Sequence, residues 1–398
     1  MNSANHIFIS AITIFIVACS QEQQPSAVNS KQKSINESIG SEQSIKPRYD
    51  DEDDLTLKET LGKKLFFDKN LSEPAGQSCA SCHAPGYGFS EPDKLLPVSE
   101  GVIPGNFGVR NSLSASYVKF IPSFDIGATP ADTVGGLFWD GRKIDLVDQA
   151  KAPFLNPLEM NNPSLETVVS DVMMATYAPM FLNVYGPTAF DDPVLAYDNI
   201  ADAIATFERS IELNAFTSKY DYYKQGRIEL SPEEALGLEL FVGKAHCDHC
   251  HVIDSVNDPT KPDIFSNFKY FNLGVPPNTE FPYNLLPADT IDLGLGAITQ
   301  LVEHNGKFKT PHLRNLERTA PYMHNGLFKS LEEVVRFYNT RDVPGIWPAP
   351  EVSENLTTGV VIGDIGLTPM EEEAIAEFLE TLNDGFRLPP PPVVAPVN

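Results

Sequence analysis

Apolar and polar positions divide this chain into blocks of different character. Residues 7 to 18 form a nearly unbroken apolar run, too short to span a bilayer and placed where the hydrophobic region of a signal peptide belongs. The run meets Cys19, and Ile16-Val17-Ala18-Cys19 has the form of a bacterial lipobox, although only His6 offers a positive charge ahead of it. Residues 1–18 therefore read as a signal peptide, with lipidation of Cys19 preferred over ordinary cleavage. From Ser20 to Asp54 the chain is Ser, Gln, Asn, Lys and acidic residues with almost no aromatics, which buries too little apolar surface to fold. Residues 19–54 are expected to be a lipidated cysteine and a disordered tether.

Helical patterning starts at Thr56-Leu57-Lys58-Glu59, a capping box, and continues through Leu61-Gly62-Lys63-Lys64-Leu65-Phe66-Phe67. The same grammar returns at Ser231-Pro232-Glu233-Glu234, which opens Leu236 to Phe241 with Pro at the first helical position. Closing helices match too. Ala203-Ile204-Ala205-Thr206-Phe207 echoes Ala374-Ile375-Ala376-Glu377-Phe378, the latter launched by Thr368-Pro369-Met370-Glu371. The intervening stretches are rich in Gly, Pro and Asn, and alternating strand patterns are scarce. A mainly α-helical protein built from a duplicated unit with long loops is expected, its halves at 55–225 and 226–386, the junction near Tyr220 to Glu229, and a Pro-rich tail at 387–398.

The cysteines supply chemistry to this frame. Four of the five fall in two pentads, Cys79-Ala80-Ser81-Cys82-His83 and Cys247-Asp248-His249-Cys250-His251. A C-x-x-C-H lets two thiols add to the vinyl groups of one haem while the histidine reaches its iron; Cys2His2-type zinc sites or two disulfides are the alternatives. Each half runs entry helix, pentad, long excursion and closing helix, the layout of a class I cytochrome c domain. The formal charge of −25 argues against nucleic acid and favours basic or locally neutral redox partners.

Between the pentads stand Phe138-Trp139-Asp140-Gly141-Arg142, then Gln149 and Pro153, then Asn156-Pro157-Leu158-Glu159-Met160, and later Pro321-Tyr322-Met323-His324-Asn325-Gly326. With these in order, the chain from Leu55 to Gly385 resembles the bacterial di-haem cytochrome c peroxidase and MauG family. The resemblance implies two tandem class I cytochrome c domains with two covalent haems facing the domain interface. It implies Gln149 and Glu159 as the distal pair over a peroxide-binding haem on His83, with Trp139 between the haems. A carboxylate in an apolar pocket suits proton transfer between peroxide oxygens, and an amide orients peroxide without competing for protons.

No histidine occurs between Ala84 and Ala245. The distal histidine that caps the resting first haem in many family peroxidases is thus absent, and an iron open to peroxide is expected, with Met160, Met173, Met174 and Met180 as weaker ligand candidates. At the second haem, on His251, the resemblance places Tyr338 where many relatives have an axial Met and MauG has Tyr; Met323 is the rival. A calcium ion is implied at Asn111 with the carbonyls of Thr319 and Pro321. His246, His249, His304 and His312 are read as surface or structural, and His324 as a haem-propionate or turn contact.

The resulting expectation is a periplasmic, lipid-anchored peroxidase that reduces H2O2 with electrons from a small cytochrome c or copper protein. Homodimers are common in the family. A MauG-like oxidation of Trp or Tyr side chains in a partner protein is the alternative, and a di-haem electron carrier without substrate is the alternative from another class.

Overall fold

The computed structural model describes residues 55–256, 258, 260–287 and 289–389. The expected signal peptide, lipidated cysteine and tether, and residues 390–398 of the tail, lie outside the described residues. The first helix, α1 (Leu57–Phe67), begins at the expected capping box: Glu59 N donates to Thr56 Oγ1 and Thr56 N to the Glu59 carboxylate. That exchange satisfies two N–H groups a helix start otherwise leaves open. One turn, α2 (Cys79–Cys82), carries the first pentad, and α3 (Leu146–Leu155), α4 (Leu165–Met174), α5 (Ala178–Tyr185) and α6 (Pro193–Glu208) follow after a long excursion. The expected junction holds a short helix, α7 (Lys219–Lys224), in which Tyr220 and Asp221 are buried. The second half contains α8 (Pro232–Val242), a 3-10 turn at Cys247–His249, α9 (Leu295–Thr299), α10 (Leu331–Thr340) and α11 (Pro369–Glu380). Both remaining capping boxes, at Ser231 and Thr368, are formed. Two short strands, β1 (Tyr270–Phe271) and β2 (Phe308–Lys309), pair antiparallel with Tyr270 opposite Lys309. The protein is mainly helical, with this small sheet.

Apolar side chains gather in two principal clusters. One is built on α1, α4 and α6 from residues such as Leu65, Phe66, Val168, Ile200, Ile204 and Phe207. The other is built on α8 and α11 from Leu240, Phe241, Ile375, Phe378 and Leu379, joined by Phe265 from the intervening loop. In both, the entry helix crosses the closing helix at a glycine. A Cβ on Gly62 would lie 1.9 Å from the Ala203 carbonyl oxygen, and one on Gly237 would lie 1.9 Å from that of Ala374. Equivalent positions of the repeated segments thus make the same close approach. Alanine would gain ~1 kcal/mol in helix propensity, but the backbone it meets cannot turn aside. Gly62→Ala and Gly237→Ala are each expected to destabilise the protein by about 2–3 kcal/mol, seen as a lowered Tm by circular dichroism.

The two halves are tied by buried polar groups. Arg314, 1 % exposed, donates to the Asp221 carboxylate at 2.9 and 3.0 Å and to the Asp263 carbonyl at 2.8 Å through Nε. Tyr117 Oη donates to Asp384 at 2.8 Å. The same carboxylate accepts from Thr217 N and Asn315 Nδ2. Asp384 is therefore a clasp through which the end of the described chain holds a loop of the first half.

Candidate active site

Cys79, Cys82 and His83 line a cavity of about 250 Å³. His83 Nδ1 lies 3.2 Å from the Phe89 carbonyl oxygen. A carbonyl only accepts, so the proton sits on Nδ1 and Nε2 keeps its lone pair. Burial lowers the His83 pKa, which keeps the ring neutral. The turn after α3 lines the same cavity. Asn162 Nδ2 donates to the Leu71 and Phe154 carbonyls, and Val102 N donates to the Glu159 carbonyl at 2.8 Å, fixing that turn from both sides. Gly101 is needed there, because a Cβ would come within 2.4 Å of the Leu158 carbonyl oxygen.

Glu159 lines this cavity, as does Gln149. Burial raises the Glu159 pKa, opposed by the Arg142 guanidinium and a hydrogen bond from Asn156. Arg142 is held by Asp140 at 2.9 Å and lies 3.6 Å over the Phe138 ring. The half-buried Gln149 carboxamide makes no hydrogen bond among the described residues. Of the methionines weighed as ligands here, Met160 lines the cavity, whereas Met173 and Met174 are exposed. Met180 packs against the first apolar cluster from α5.

The second cavity, of about 200 Å³, is lined by Cys247, Cys250 and His251 together with Tyr338 and Met323. His251 Nδ1 lies 2.9 Å from the Phe265 carbonyl oxygen, and burial pushes its pKa down to about 4. This imidazole is therefore also neutral with Nε2 free. Tyr338 enters from α10. Its hydroxyl has no hydrogen-bond partner among the described residues, and burial beside the Cys250 and Cys247 thiols drives its pKa up. The protein alone keeps this phenol protonated; only a cation would draw it to the phenolate.

One wall is common to both cavities: Asn111 to Ser114, Trp139, Lys309, Pro311 and His312. Trp139 Nε1 donates to the Asn111 carbonyl at 2.8 Å, and the Trp139 carbonyl accepts from Lys309 N at 2.8 Å. Thr319 and Pro321, read with Asn111 as calcium ligands, line the second cavity. So does His324, whose ring stacks 3.7 Å from that of Phe308.

Each cavity has what a covalent haem requires: two thiols on one wall, a neutral imidazole with a free nitrogen, and largely apolar surroundings. Gln77 Oε1 and Glu208 Oε2 beside the first cavity, and His324 Nε2 beside the second, are buried without a hydrogen bond among the described residues, although Glu351 Oε2 lies 3.8 Å from His324 Nε2. The residues present fit the group. The model of the di-haem cytochrome c peroxidase family matches residues 56–229. Methylamine utilization protein MauG of Paracoccus denitrificans is 35 % identical over 342 residues, covering 81 % of this chain and 88 % of that one. The chain belongs to the di-haem cytochrome c peroxidase family. Cytochrome c551 peroxidase of Pseudomonas aeruginosa is 30 % identical over 74 % of this chain and 75 % of its own. The crystal structure of the diheme peroxidase BthA from Burkholderia thailandensis superposes with a TM-score of 0.73 at 32 % identity, covering 82 % of this chain and 86 % of that one. As a di-haem peroxidase of this family, the chain carries two c-type haems and is a peroxidase-type oxidoreductase.

Sequence reasoning missed three groups on these cavities. His312 is structural, the second of the two expected alternatives, but its place in the shared wall was not foreseen: it is buried there, its Nδ1 accepting from Arg314 N at 3.2 Å. Lys309 and Glu208 gave no signal, since one stands in an irregular stretch and the other looks like the polar end of an amphipathic helix. Burial pushes the Glu208 carboxyl up to about 8 from 4.5. The folded protein thus keeps a proton the unfolded chain releases, so stability falls as pH rises from about 4.5 to about 8 and levels off above. Glu208→Gln removes that dependence. The variant is expected to be more stable than wild type at pH 8, by roughly 2–4 kcal/mol, and similar at pH 4.5, by thermal unfolding at both values.

Proposed function

We propose that the first cavity reduces hydrogen peroxide and the second handles the electrons, with residues 55–225 and 226–386 as tandem cytochrome c domains whose haems face their interface. Support comes foremost from one observation: Glu159 and the unpartnered Gln149 carboxamide share a cavity with Cys79, Cys82 and His83. When bound there, haem supplies redox-active iron for the two-electron reduction of H2O2, which also takes up two protons and yields two waters. Gln149 binds and orients peroxide through its amide. The Glu159 carboxylate takes the proton of the inner oxygen and returns it to the outer one, and burial, by raising its pKa, makes it a better proton acceptor for that transfer. Because no histidine lies between Ala84 and Ala245, that stretch holds no imidazole to cap the site, which supports reaction without prior reduction, with Met160 on the cavity as the weaker ligand candidate.

His251 and Tyr338 are the proposed ligands of the second iron, with Met323 as rival. Trp139 offers an oxidisable ring in the wall common to both cavities. Calcium is assigned to Asn111, Thr319 and Pro321, and the chain to the periplasm with a lipid on Cys19. Among the described residues no helix is long and apolar enough to cross a membrane.

Electrons come from a small cytochrome c or copper protein in the first reading. A second reading, oxidation of Trp or Tyr side chains in a partner protein, is favoured by Tyr338: bound to the iron as phenolate it would stabilise the oxidised metal, which suits storage of oxidising equivalents over electron entry. Stopped-flow addition of stoichiometric H2O2 to the fully oxidised holoprotein, without donor, tests both. Immediate change in the Soret and near-infrared bands with a long-lived product supports the open site. Inertness until half-reduction would overturn it.

A further inference from the structure

Lys309 is 2 % exposed, yet its ammonium makes no hydrogen bond or ion pair with any described residue. Its backbone is fixed by the bond to the Trp139 carbonyl and by pairing with Tyr270 on β1, so the side chain is held in the wall between the cavities and lines both. It is the only Lys or Arg among the described residues that does. The carboxylate facing it, Asp140, is committed to the Arg110 and Arg142 guanidinium groups. Arg110 in turn is shared with Asp292 at 2.6 Å, and Arg314 with Asp221 at 2.9 Å. His312 carries no charge in this setting, because burial pushes its pKa down to about 3.

A lone ammonium taken out of water is costly unless an anion meets it. Asp140 acts on it only through space, its oxygens being taken up by the two guanidinium groups, and no carboxylate among the described residues pairs with it. Each haem, however, brings two carboxylate side chains on one edge of the macrocycle, and these need cationic or N–H partners when buried. We propose that Lys309 is the shared anion-binding residue of the two pockets, its ammonium pairing with a carboxylate of each haem across the wall that separates them. The inference rests on the reading of one covalent haem in each cavity.

A cation at the haem edge stabilises the reduced, less positive state, so its removal lowers the midpoint potential. Because Lys309 faces both cavities, the two haems respond together. The test is spectroelectrochemical titration of holoprotein carrying Lys309→Met or Lys309→Arg, with haem content measured by the pyridine haemochrome spectrum. In Lys309→Met both midpoints are expected to fall, the oxidised-to-reduced ratio of each haem rising about tenfold at fixed potential, ~59 mV for one electron. Lys309→Arg is expected to keep both near the wild-type values while altering the propionate bending bands in resonance Raman spectra. Unchanged midpoints in a fully loaded Lys309→Met, or a shift in one haem alone, would overturn the shared role. Should Lys309→Met fail to fold, the Raman comparison of wild type and Lys309→Arg decides, and unaltered propionate bands count against the pairing. Wild-type protein with fewer than two c-type haems would instead remove the underlying reading.

Discussion

Glu159→Gln is expected to slow peroxide cleavage by ~10²- to 10⁴-fold, the range a positioned acid–base group contributes. The substitution keeps shape and volume, so the Asn162 and Val102 hydrogen bonds that fix the turn should survive, and both haem spectra should stay nearly as in wild type. What is lost is a carboxyl able to release and retake a proton in a pocket that already raises its pKa. Rapid mixing with H2O2 at several pH values gives the measurement. A normal rate would strip Glu159 of its role and turn attention to Glu208, the other raised carboxyl on that cavity.

Tyr338→Met is expected to raise the potential of the second haem by on the order of 100 mV, within the ~0.8 V that axial ligation spans. A phenolate donates negative charge to oxidised iron, whereas a thioether favours the reduced metal. The two outcomes also separate Tyr338 from its rival. If redox titration finds no change, Tyr338 is a buried wall residue and Met323, on the same cavity, becomes the ligand to test. A raised potential should also slow any peroxide-driven oxidation that depends on holding the second site oxidised.

How much of this was readable beforehand follows the range of the forces involved. The capping boxes at Thr56, Ser231 and Thr368 depend on residues three apart, and all three form as read. The matched entry and closing helices were visible as repeated segments. That Gly62 and Gly237 sit at the crossings was not, since a glycine's purpose lies in the partner helix. The wall between the cavities draws on segments 111–114, 139 and 309–312, brought together only by tertiary packing. Of its members, Trp139 and Asn111 came forward through family motifs. Lys309 and His312 stand in a stretch with no period and carried no local cue. Glu208 was hidden differently: its burial comes from what faces the last turn of α6, about which the helix pattern says nothing.

The clasp at Asp384 bears on the order in which the molecule is assembled. Each entry helix meets its closing helix within its own half, at moderate sequence separation, whereas Tyr117 and Asp384 are 267 residues apart. Long-range closures of this kind come late, after local contacts have formed. The Arg314 and Asp221 pair and the Asn315 contact with Asp384 depend on the same convergence of distant segments. The contacts made by residue 384 are thus expected among the later ones to form, after each entry helix has met its closing helix. A chain cut short before Asp384 would keep both pentads and yet lack the carboxylate on which Tyr117, Thr217 and Asn315 converge.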